Sequence, residues 1–136
     1  MAYRSGFEKR VARRLRQQKV NFDYEKVKLE FVQPAKQRVY TPDFRLRESG
    51  VLVEAKGRLT TEDRAKLLFV KASNPDVRLV ILFQDSRKKI RKGSKTSYGD
   101  WATKNGFEWS DERKGIPKTW LEKNNNANQD NSRKRR

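Results

Sequence analysis

The sequence predicts an α/β domain, a central sheet with helices packed on it. Three observations carry this. Residues 79–83 read Leu-Val-Ile-Leu-Phe, the unbroken apolar run of a strand covered on both faces. Residues 40–56 alternate apolar and polar positions on either side of Glu48, Ser49 and Gly50, the pattern of a β-hairpin. Two stretches, near 5–19 and 60–73, carry apolar residues at helical spacing. With 136 residues the chain is one domain with an ordinary core, or a subunit that shares its core with a partner.

In chain order, residues 1–4 read as a short arm. Ser5 and Glu8 then form a capping-box pattern, and Phe7, Val11, Ala12 and Leu15 make an apolar stripe on a helix expected to end near Lys19. Glu8 has two readings. It caps the helix, or, lying beside the buried stripe, it points at a site inside the fold. Residues 24–32 read as one strand with Val27, Leu29 and Phe31 on a face. Residues 33–38 break the pattern with one Pro and no Gly, as a loop or an extended arm crossing to another subunit.

The hairpin comes next. With its loop at 47–50, Leu46 pairs with Val51, and counting back places Asp43 across from Glu54. Cross-strand partners share a face, as do residues two apart, so Asp43, Glu54 and Lys56 converge. Facing carboxylates repel unless a cation lies between them. Taken alone the pattern also suits an exposed strand with a solvated Glu–Lys pair.

Thr60 or Thr61 caps a second helix, with Ala65, Leu68, Phe69 and Ala72 as its expected core face and Asn74-Pro75 as its stop. Residues 86–95 are a basic loop with six Lys or Arg, ahead of a helix opened by Ser97 and Asp100 and closed at Asn105-Gly106. A helix start behind a basic loop suits phosphate, although a solvated charged loop reads the same way. Residues 107–109 suit a short edge strand. Pro117 suits the first position of a short terminal helix that packs Trp120 and Leu121 inward. From residue 123 on, the Asn-rich stretch ending in four basic residues is expected to be a disordered tail.

The composition narrows the chemistry. There are 34 Lys and Arg against 17 Asp and Glu, a formal charge of +17. That excess predicts a polyanionic partner, nucleic acid first and acidic membrane second. No apolar run reaches the roughly 20 residues of a membrane span, and no secretory signal is visible, so a cytoplasmic protein is expected. There is no Cys and no His. Disulfides, thiolate metal sites and the usual general base are excluded. Any metal must be held by oxygen, which selects Mg²⁺, Mn²⁺ or Ca²⁺. Phosphodiester hydrolysis with one or two such ions needs carboxylate ligands, and Asp43 and Glu54 supply them. The Ala55 carbonyl adds a neutral oxygen from the same strand, and Glu8 completes a second position if its helix packs on the hairpin. Lys56 then lies near the attacking water or the phosphate charge.

Thr41-Pro42-Asp43-Phe44 followed by Val53-Glu54-Ala55-Lys56 resembles the PD-(D/E)XK nuclease signature. With Arg4-Ser5-Gly6-Phe7-Glu8 and Lys92-Gly93-Ser94-Lys95-Thr96-Ser97-Tyr98-Gly99, the chain resembles the T7-type phage endonuclease I family of Holliday-junction resolvases. The last stretch is the most distinctive, and the resemblance runs from about Tyr3 to Leu121. It implies a restriction-endonuclease-like fold with a central mixed sheet flanked by helices, spanning 1–122, and a basic tail over 123–136. It implies cleavage of four-way and other branched DNA by paired nicks with Mg²⁺ or Mn²⁺, in the host cytoplasm if phage-encoded. It also implies an intertwined, domain-swapped homodimer. Segment 34–39 would be the crossing bridge, and Glu8 of one chain would complete a site whose Asp43, Glu54 and Lys56 come from the other. Glu8, Asp43, Glu54 and Lys56 match the family's catalytic positions. The expected DNA contacts are Arg4, Ser5, Arg87, Lys88, Lys89, Lys92, Ser94, Lys95, Ser97 and Tyr98. The chain departs from the family in a shorter N-terminus, Lys95 and the C-terminal extension. Two other readings fit the charge: a non-enzymatic nucleic-acid-binding module, and a nuclease of the same fold acting on linear duplex.

Overall fold

A computed structural model describes residues 2–33 and 36–123. The expected disordered tail, apart from Lys123, lies outside these residues, as do Pro34 and Ala35 of the expected bridge. The main sheet has five strands: β1 (Phe22–Tyr24), β4 (Phe44–Leu46), β5 (Leu52–Lys56), β6 (Leu79–Phe83) and β7 (Trp109–Asp111), in that spatial order. β4 runs antiparallel to both its neighbours, β1 and β5, whereas β5, β6 and β7 run parallel, so the sheet is mixed. A second sheet pairs β2 (Leu29–Gln33) with β3 (Lys36–Tyr40). Three helices pack around them: α1 (Gly6–Gln17), α2 (Thr61–Ser73) and α3 (Tyr98–Lys104).

The strand read as lying inside the sheet does so. All five residues of β6 are buried, and β6 lies between two parallel neighbours. Alternation along β5 and β6 divides the core in two. Val53, Ala55, Val80 and Leu82 face Val11, Ala12 and Leu15 of α1, with Trp120 completing that side. Leu52, Leu79, Ile81 and Phe83 face Leu67 and Val70 of α2 and Trp101 and Ala102 of α3. Ser97 and Asp100 close a full capping box on α3. Gly99 sits against the Trp109 ring, where a Cβ would come within 2.7 Å, so this turn accepts no larger residue. A 3₁₀ turn at Lys118–Trp120, with Pro117 just ahead of it, replaces the expected terminal helix.

Four expectations need correction. The strand read over 24–32 is two strands in different sheets. Glu25 takes a left-handed turn (φ 53°), and the chain leaves the main sheet there. Residues 36–38, for which a loop was one of the two readings, are extended in β3 and pair with β2. The buried face of α2 is Leu67 and Val70; Ala65, Leu68 and Ala72 are exposed. Apolar residues surround this helix, so their spacing does not choose one side. The edge strand lies two residues later than read, at Trp109–Asp111.

Candidate active site

The hairpin has the register counted from the sequence. Phe44 opposes Val53 and Arg45 opposes Leu52, and the Leu46 amide donates to the Val51 carbonyl at 2.9 Å. Asp43 lies one residue ahead of β4. Its carboxylate turns back onto β5, where Oδ2 accepts a 2.8 Å hydrogen bond from the Ala55 amide. Asp43 is thus fixed beside Glu54 although the ladder ends at Phe44.

Glu8 enters from α1. Ser5 accepts from the Glu8 amide at 3.0 Å, as a cap should. The reciprocal half of the capping box is missing, because the Glu8 carboxylate points inward. Its Oε1 accepts from the Tyr24 hydroxyl at 2.7 Å and the Arg4 amide at 3.0 Å. Only 7% of Glu8 is exposed, and a hydrogen bond links its carboxyl group to that of Asp43. Ser5 therefore caps the helix without the Glu8 carboxylate, which is turned inward beside Asp43.

The four expected residues fall into two pairs joined at Ala55. In the second pair Lys56 Nζ lies 3.4 Å from Glu54 Oε2 and 3.1 Å from Asp63 Oδ1. Glu54 Oε1 accepts a short hydrogen bond from the buried Tyr40 hydroxyl. Asp63 also accepts from the Thr60 amide, so the α2 cap positions Lys56 as well.

The electrostatics differ between the pairs. Burial, then the charges of Glu54 and Glu8, push Asp43 up to about 9. Burial also opposes charge on Glu8, but hydrogen bonds from Asp43, Tyr24 and the Arg4 amide outweigh it and hold Glu8 below its ordinary range. The pair therefore carries one proton, on Asp43, donated toward Glu8. Burial raises Glu54, against the pull of Lys56 and Tyr40. Burial likewise works against charge on Lys56, but Glu54 and Asp63 win and raise it, so the amine stays protonated.

Several neighbours were not foreseen. Glu25, at the left-handed turn, brings a third carboxylate beside Glu8 and Asp43, with oxygens of all three within 4.8 Å of one another. Glu54 stands outside that triad. The Arg4 guanidinium lies among the three acids, 2.5 Å from Glu25, 3.3 Å from Asp43 and 4.0 Å from Glu8. A cleft of about 380 Å³ opens beside them, lined by Arg4, Glu25, Lys28, Tyr40, Glu54, Lys56 and Lys66. Tyr24, Asp63, Lys28 and Lys66 carried no sequence signal of their own; the two lysines look like any others in so basic a chain.

The expected DNA contacts separate into two groups. Lys88, Lys92 and Lys95 are exposed on the basic loop. Arg87 is exposed but paired with Asp85, and Lys89 reaches the Lys95 carbonyl. Ser5, Ser94 and Ser97 are spent on backbone amides, and Tyr98 is a core residue packed on Phe83. The loop follows β6 as Lys56 ends β5. These strands are parallel, and the Gln84 amide donates to the Lys56 carbonyl, so the loop leaves the sheet at the end that carries the acids.

Among the described residues, no helix is long and apolar enough to cross a membrane. The chain is 41% identical over 120 residues to Endonuclease I of Escherichia phage T7, covering 88% of this chain and 78% of that protein. It is 39% identical over 110 residues to Endodeoxyribonuclease 1 of Enterobacteria phage T3, covering 81% and 72%. The match to the family model described as phage endonuclease I runs over residues 1–136, past Leu121 and through the tail, and the chain belongs to that family.

Proposed function

We propose that this protein is a structure-selective DNA endonuclease that cuts four-way junctions and other branched DNA by Mg²⁺- or Mn²⁺-dependent phosphodiester hydrolysis, leaving paired nicks. The observation that carries the reading is the meeting at Ala55 of an acid pair, Glu8 and Asp43, with the Glu54–Lys56 pair, beside a cationic cleft. The name of the phage T3 relative supports DNA as the substrate.

The residues fit a divalent ion. The donors are all oxygen, Asp43 keeps a proton for want of positive charge, and Arg4 already lies among the carboxylates as a cation. Asp43, Glu54 and the Ala55 carbonyl are the proposed holders, and Glu8 beside Asp43 serves a second position. When bound, such an ion supplies charge relief at the phosphate and activation of water. Lys56, charged between Glu54 and Asp63, stabilises developing negative charge rather than removing a proton. Arg4, Lys28 and Lys66 draw the cleaved strand into the cleft, and the exposed cations of the basic loop hold its flank. Branch selectivity then rests on DNA shape.

The proposed assembly is a homodimer intertwined through 34–39, with Glu8 of one chain beside Asp43 of the other. A swap exchanges identical elements, so the contact formed within one chain keeps its geometry between two.

The test compares a four-way junction with linear duplex of the same sequences in Mg²⁺. Glu54→Ala should abolish nicking and leave junction binding intact. Preference for linear duplex, or wild-type binding without cleavage in Mg²⁺ or Mn²⁺, overturns the reading. For the shared site, a heterodimer of Glu8→Ala and Asp43→Ala chains should keep one working centre. Complete inactivity there argues for sites built within single chains.

A further inference from the structure

We propose that Tyr40 and Tyr24 are positioning residues, one phenol for each of two glutamates, that fix Glu54 and Glu8 for a divalent cation. The inference rests on the metal-dependent reading above and deepens it. The Tyr40 hydroxyl donates to Glu54 Oε1, and the Tyr24 hydroxyl donates to Glu8 Oε1. Both tyrosines are buried, at 6% and 8% exposure. A buried phenol needs an acceptor, and a backbone carbonyl is the commonest one at hand. Here both phenols instead take a carboxylate of the site.

The arrangement is the same in each pair. The phenol takes one carboxylate oxygen and leaves the other toward positive charge. Glu54 Oε2 faces Lys56 Nζ at 3.4 Å, and Glu8 Oε2 faces the Arg4 guanidinium at 4.0 Å. A glutamate has three side-chain torsions to fix, and a tie on one oxygen orients the other before any cation arrives. The rings themselves are held. Tyr24 stacks edge-on to Tyr3 with centroids 4.5 Å apart and lies 5.2 Å from Phe44, and Tyr40 belongs to the core on the α2 side. Tyr40 ends β3 and Tyr24 ends β1, so the placement of both acids depends on how the chain between them is folded.

The experiment is a pair of double-mutant cycles read by Mn²⁺ calorimetry on the full chain without DNA. Tyr40→Phe should weaken Mn²⁺ binding about tenfold, in the range found for groups that orient metal ligands. It should add nothing further in a Glu54→Ala background. Tyr24→Phe should behave likewise against Glu8→Ala. Thermal melting and metal-free junction binding establish that each variant is folded, and each cycle decides for its own pair if one phenylalanine variant fails to fold. Unchanged Mn²⁺ affinity in the phenylalanine variants, or the same loss whether or not the acid is present, overturns the positioning role while leaving nuclease activity standing. Wild-type protein that binds no Mn²⁺ overturns both. Coupled losses in a protein that nicks no DNA support the tyrosines' role and overturn the nuclease.

Discussion

The two halves of the site hold their carboxylates in opposite ways. Glu54 is matched: an ammonium at 3.4 Å and a phenol satisfy it from within the fold. Glu8 and Asp43 are mismatched. Two buried acids meet with Glu25 close by, and the cation set against them is the exposed guanidinium of Arg4. The matched half is an assembled electrostatic device. The mismatched half is short of positive charge, a deficit that the proposed divalent ion would relieve. A core built only for stability has no use for the second arrangement, because removing one carboxylate would strengthen it.

That contrast is broken hardest at Asp43. Asp43→Asn keeps the shape and the hydrogen bond from Ala55, and replaces an ionisable group with one that is neutral at every pH. Nicking of a junction in Mg²⁺ should fall by at least about 10³-fold. The metal-free protein should gain about 1–2 kcal/mol, as often happens when a site's strain is relieved. Junction cleavage and urea unfolding in chelator measure the two. A variant both inactive and less stable would mean that Asp43 serves the fold. Lys56→Gln probes the matched half. Cleavage should fall about 10²-fold while Mn²⁺ affinity moves less than about tenfold, since this amine neutralises charge without holding the ion. An equal loss in both readings would reduce Lys56 to a prop for Glu54.

The same contrast explains what the sequence disclosed. The matched half lies on one strand, and the hairpin loop at 47–50 sets its parity, so Asp43, Glu54 and Lys56 could be placed by counting. The family motif then fixed Glu8. Glu25 and Tyr24 were hidden because periodicity ran smoothly across 24–32, whereas the chain turns out of the sheet at Glu25 with φ 53°. A positive φ in a non-glycine residue leaves no trace in hydrophobic spacing. Tyr40 was read as part of a hairpin face, and its hydroxyl gave no sign of reaching Glu54. On α2, apolar residues all round the helix concealed that Leu67 and Val70 are the buried ones. The sheet order was legible only in part. The buried run marked β6 as an interior strand, but nothing in the spacing separated β2 and β3 into a sheet of their own.

The mismatch also sets a pH dependence in the metal-free protein. Asp43 in the folded chain gives up its proton near 9, and in the unfolded chain near the ordinary aspartate value. Between those limits the folded state holds the extra proton, so stability falls as pH rises. Glu54, raised by burial, adds to this slope. Glu8, held low, works the other way and only at the acid end, where its contribution is lost as pH drops. Urea midpoints taken in chelator from pH 5 to 9 should therefore decline, and Asp43→Asn should flatten the decline. A wild-type profile that stays level would show that the acids are not crowded.

The smallest effect belongs to Arg4. Its guanidinium contacts Glu25, Asp43 and Glu8, the acids a divalent ion would compete for, yet 67% of its side chain is exposed, so water screens much of the attraction. Arg4→Gln keeps the backbone amide that holds Glu8 and Tyr24 and removes the competing charge. The Mn²⁺ concentration for half-maximal nicking should fall about two- to fivefold, the range of an exposed ion pair. Junction affinity should weaken in the same variant, because the guanidinium it loses is one of the cleft's cations. The two shifts run in opposite directions, which a general loosening of the site cannot produce. If more Mn²⁺ were needed, Arg4 would be orienting the acids rather than competing for them, and the charge deficit would lie elsewhere.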